Sequence, residues 1–173
     1  MSKLRSALAS VCVTPLLAFG LMAQELPSEG KLSVTYTGVI TSPLKPIVFG
    51  LEREVIVGAP IMTAVNDAGS GLLHNMAGRC FLVTIIDRAK KELEAKGYCN
   101  YADRSGDQIY EEVTTAGAIP LGTPVKYVGK LNGGTGKFAG LSGDIEITNS
   151  GNFGPEGIFQ ATGKKTGTYK INK

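Results

Sequence analysis

Residues 127–148 read YVGKLNGGTGKFAGLSGDIEIT, a glycine-rich stretch that either cradles a phosphate or turns the chain. Its centre, GGTGK, invites comparison with a phosphate-binding loop, G-x-x-x-x-G-K-[ST]. The comparison fails twice: Leu131 stands where the first glycine belongs, and Phe138 where a Ser or Thr is needed. Gly134-x-Gly136-x-x-Ala139 fits a relaxed dinucleotide fingerprint in form. That fingerprint works only if a helix starts inside it and turns its N-terminus to the pyrophosphate. Gly140, Gly143 and an alternating segment follow instead. The stretch therefore predicts a tight turn between two strands, with Gly133, Gly134, Gly136 and Gly140 as its structural glycines.

Period-two alternation recurs on both sides of this turn. LSVTYTGVI places Leu32, Val34, Tyr36, Gly38 and Ile40 on one face. EVIVGAPIMTAV reads as one strand with Val55, Val57, Ala59, Ile61 and Val65 on a common face. Between them, TSPLKPIVFG carries Pro43 and Pro46 and reads as a connection. GLLHNMAGRCFLVTIID reads as one long strand bent at Gly78. DQIYEEVTT, VKYVGKL, LSGDIEIT and the tail EGIFQATGKKTGTYKI complete about eight strands. RAKKELEAK is composed of helix formers, but Leu93 is its one large apolar residue, so a hairpin arm is favoured over a helix. The pattern is all-β, a sandwich or closed antiparallel barrel in a single domain spanning residues 24–173.

The glycine signature GGTGKFAGLSG, with HNMAGRC and GYCNYADRSGDQIYEE, resembles the allene oxide cyclase-like and dirigent-like barrel group, in particular uncharacterised secreted bacterial members. That resemblance spans roughly residues 55–143. It implies a closed barrel of about eight strands, calycin-like in shape. It carries over no catalytic residue.

The N-terminus predicts export. Lys3 and Arg5 precede an uncharged apolar run from Ala7 to Met22, and small Ala23 precedes polar Gln24. That order describes a signal peptide over residues 1–23, cleaved after Ala23, and a periplasmic or secreted protein. The run is short for a spanning helix and is interrupted by Pro15, and Cys12 lies inside it rather than at its end. The net charge of +3 falls to about +1 without the leader, with no block of like charge, so neither nucleic acid nor a membrane is expected as a partner.

Two cysteines remain, Cys80 and Cys99, and in an oxidising compartment they predict a disulfide. A hairpin centred between Ala89 and Lys90 sets them directly opposite each other, and sets Ile86 against Leu93, Thr84 against Ala95 and Leu82 against Gly97 on the same face. His74 is the sole histidine, too little for a zinc site or a triad, and is read as structural or solvated; no metal and no cofactor are expected. DRSGD, residues 103–107, lacks the later ligands of a calcium loop and reads as a turn. Glu111 and Glu112 are the weak catalytic candidates. On a regular strand one of the two faces the barrel interior, where a carboxylate has to be paired, hydrogen-bonded or protonated. The expected function is binding of a small apolar molecule. The alternatives are an isomerase or cyclase using an inward carboxylate, and a structural barrel with a filled lumen.

Overall fold

The protein's computed structural model describes residues 26–119 and 124–172, so the expected leader and its cleavage point lie outside the described residues. Ten strands follow one another: β1 (Glu29–Ile40), β2 (Ile47–Phe49), β3 (Arg53–Gly58), β4 (Ile61–Asn66), β5 (Met76–Asp87), β6 (Glu92–Ala102), β7 (Gln108–Ala118), β8 (Val125–Gly134), β9 (Leu141–Phe153) and β10 (Phe159–Ile171). Every pairing is antiparallel. The order β4-β1-β10-β9-β8-β7-β6 is closed by β5, which pairs with both β4 and β6. β3 and β4 share one position in the wall, because β4 pairs with Met76–Arg79 and β3 with Leu82–Asp87 of the same strand. The result is a closed barrel of eight staves, one of them broken.

That break corrects the expected single strand 54–65. Pro60 has no N–H to continue the ladder, and its carbonyl accepts the Cys80 N–H at 3.0 Å. In β4 the inward residues are Met62, Ala64 and Asn66, while Ile61 and Val65 point outward. Apolar residues on both faces had left the phase ambiguous. Two more expectations change. TSPLKPIVFG is not wholly a connection, since Ile47–Phe49 adds a short edge strand to β3. The long strand begins at Met76 rather than Gly71, because Leu73 and Asn75 take φ of 61° and 53° and interrupt the extended chain.

RAKKELEAK forms a hairpin arm, and β5 and β6 pair in the register set by Cys80 opposite Cys99. The turn spans residues 88–91, wider than two residues, with Lys91 at φ 56°. The glycine run ends β8, makes a 3-10 turn at Gly136–Phe138 and starts β9. Gly136 has φ 53° beside the Asp107 carboxylate, and Gly140 has φ 77° against the Asn172 carbonyl. The tight turn points Phe138 into the end of the lumen, where it is buried with Leu72, Leu73, Leu141 and Ile171. Apolar side chains therefore close that end of the barrel. The opposite end stays open.

Candidate functional site

The floor of the open end is built from inward residues of four strands. On β7 the alternation Ile109, Glu111, Val113 turns Glu111 inward and leaves it 2 % exposed. On β6, Cys99 and Tyr101 face in, and Cys99 sits directly across from Glu111. β10 presents Lys165 between Gly163 and Gly167, also 2 % exposed, and β1 presents Tyr36. Two glycines make room for the two rings. Gly163 is directly opposite Tyr36 and Gly78 directly opposite Tyr101, and in each case a Cβ would strike the ring. Pairing a large inward residue with a glycine lets the wall curve around a ring lying against it.

Lys165 Nζ makes an ion pair with Glu111 Oε2 and donates a hydrogen bond to Tyr101 Oη at 2.9 Å. It also lies 4.7 Å from the centre of the Tyr101 ring and 5.3 Å from that of Tyr36, positions from which both ring faces attract a cation. Burial pulls the ammonium's pKa down, but the Glu111 charge and the Tyr101 contact outweigh it, so Lys165 is held above its ordinary value and stays charged. Burial raises both tyrosine hydroxyls, against the opposing pull of Lys165. Tyr36 donates weakly to the Thr148 carbonyl at 3.3 Å. Glu111 Oε1 is buried without a partner among the described residues.

Above this floor lies a cavity of about 480 Å³. Tyr36, Tyr101, Lys165 and the Cys80–Cys99 disulfide line its lower part, and residues such as Ile40, Leu82 and Phe159 its walls. The bridged cysteines have Cα atoms 4.0 Å apart on directly opposed strands.

Of the residues singled out in the sequence, Cys80, Cys99 and Glu111 come together here. Glu112 points outward and pairs with Lys96 at 2.7 Å. His74 sits in the loop between β4 and β5, its Nε2 2.9 Å from Asn75 Nδ2, with no acid or nucleophile bonded to it among the described residues. Asp103 accepts hydrogen bonds from the Ser105 N–H, the Ser105 hydroxyl and the Asp107 N–H, so DRSGD is a side-chain-capped turn. That turn is tied to the glycine turn through the Asp103–Lys137 ion pair. No group of three His, Cys, Asp or Glu placed to hold a metal occurs among the described residues. Lys165, Tyr101 and Tyr36 were not identified from the sequence as site residues. For Lys165 the signal was present: it shares the period-two face of Tyr169 and Ile171.

No protein-family model matches the chain, and no curated protein sequence matches it. Among solved structures, that of a pterocarpan synthase dirigent protein is similar, with a TM-score of 0.53 over 85 % of this chain and 89 % of the other, at 12 % identity. The fold is a dirigent-type barrel. At that identity the likeness concerns the fold alone.

Proposed function

We propose that this protein is an exported barrel that binds a small apolar molecule in the open half of its lumen. The observation that carries this reading is the contrast within one barrel: the end at Phe138 is filled by side chains, while the other end keeps a cavity of about 480 Å³. Cavities of this size with apolar walls and a few convergent polar groups are the usual form of a small-molecule site. The disulfide supports an oxidising compartment, in keeping with cleavage after Ala23 and release to the periplasm or medium. The isomerase or cyclase alternative asked for a lone carboxylate facing the ligand. Glu111 instead commits one oxygen to Lys165, and it stands behind the cavity lining rather than in it. A filled-lumen structural role is disfavoured by the cavity.

Native mass spectrometry of the purified protein, before and after organic extraction, tests the reading. It predicts an apolar adduct removed by extraction, or uptake of an added hydrophobic dye by the extracted protein. Absence of both would overturn it. Sequencing of the exported protein's N-terminus checks the leader: it should begin at Gln24, and a chain still starting at Met1 would contradict export by cleavage.

A further inference from the structure

The polar floor restricts what the cavity accepts. We infer that the ligand is an uncharged apolar molecule carrying a carbonyl-type acceptor oxygen, and that carboxylates are rejected. This rests on the lumen-binding reading and goes on to specify the ligand's chemical class.

An ammonium has three N–H donors. Among the described residues Lys165 has two hydrogen-bond acceptors, Glu111 Oε2 and Tyr101 Oη, so one donor remains. Tyr101 accepts from Lys165 and is 0 % exposed, so its own hydroxyl offers no donor to a ligand. Both residues line the cavity floor. The remaining Lys165 donor is already buried, at 2 % exposure, so an apolar ligand without an acceptor leaves it unpaired. A ketone, enone or ester oxygen pairs it.

A carboxylate is the ordinary partner of a lysine. Glu111 excludes it. The Lys165 charge is already matched by one carboxylate, and both side chains are buried. A second anion would bring an unmatched negative charge into a low-dielectric pocket, beside an existing like charge. Glu111 therefore acts as a selectivity residue that neutralises the lysine, leaving it a donor without net attraction for anions.

Three matched probes separate the possibilities: naphthalene, acetylnaphthalene and naphthoate, titrated calorimetrically into the purified protein at neutral pH. The wild type should bind the ketone about tenfold more tightly than the hydrocarbon or the carboxylate, the equivalent of one good hydrogen bond. In Glu111→Gln the lysine loses its counter-charge, and naphthoate should become the best ligand, gaining about tenfold or more. The double variant Glu111→Gln/Lys165→Met removes both charges and is expected to fold even if Glu111→Gln does not; in it the ketone and hydrocarbon should bind alike. Naphthoate binding the wild type as tightly as the ketone would overturn the inference. So would a wild type that does not distinguish ketone from hydrocarbon, since apolar binding would then stand without selection by the floor. If none of the three binds, the lumen-binding reading itself falls.

Discussion

Glu111 and Glu112 are neighbours in the chain, and each is paired with a lysine, yet the two pairs do different work. Glu112 and Lys96 meet at 2.7 Å on the outer wall, their side chains 29 % and 54 % exposed. Glu111 and Lys165 meet inside the lumen at 0 % and 2 %. Outside, water screens the charges and holding two long side chains in place offsets much of the attraction. Inside, each charge has lost its hydration, so the pair survives only because each partner compensates the other. One residue of strand alternation separates a solvated ion pair from a buried polar floor.

The largest effect should come from breaking the inner pair. Glu111→Gln leaves Lys165 buried without a counter-charge and should destabilise the fold by about 3–5 kcal/mol in urea denaturation. A loss no greater than that of an ordinary surface substitution would mean that the lumen is wetter than its burial implies. Next comes the disulfide, which bonds the wall strand carrying Cys99 across from Glu111. Replacing Cys80 and Cys99 with alanine should cost about 3 kcal/mol in the chain-entropy account of a loop this size. Unchanged stability would show that the hairpin register holds the arm unaided.

Alkali should act on the inner pair and its tyrosines, and Tyr127, Tyr169 and the outer Lys96, which are also raised, add to the same decline. Lys165, Tyr36 and Tyr101 all hold their protons to higher pH in the folded state than in the unfolded chain. Above the ordinary values of 10.0 for tyrosine and 10.5 for lysine, unfolding therefore releases protons, and stability falls as pH rises. Below that window the contribution of Lys165 is fully present. Thermal melts from pH 8 to 11 should be flat at first and then decline, and the decline should shrink when Lys165 and Glu111 are replaced together. The smallest effect belongs to the outer pair: Glu112→Gln should leave the denaturation midpoint within error, and a large loss there would erase the contrast between the two glutamates.

The sequence showed one side of the floor better than the other. Alternation alone required Glu111 or Glu112 to face inward, and the cysteine spacing carried the register of β5 and β6, because both are local patterns. Lys165 was harder to read. It follows Lys164, and a lysine pair among threonines and glycines resembles a solvated face. In fact Lys164 is outside with Asp67 and Lys165 inside. Its partner lies 54 residues away, joined through barrel closure that no local pattern specifies. The broken stave at Ala59–Pro60 escaped for a related reason. With apolar residues on both faces, period two gave no phase, and a proline able to interrupt the ladder was read as part of one strand.

The central claim is that the open half of the lumen, with Lys165 at its floor, is where a ligand resides. Amide chemical-shift mapping on the isotope-labelled protein during titration with acetylnaphthalene tests it most directly. The account predicts shifts concentrated at Tyr36, Leu82, Cys99, Tyr101 and Lys165, with Leu72 and Phe138 at the packed end unmoved. Shifts confined to the outer wall around Lys96 and Glu112, or none at saturating probe, would contradict it.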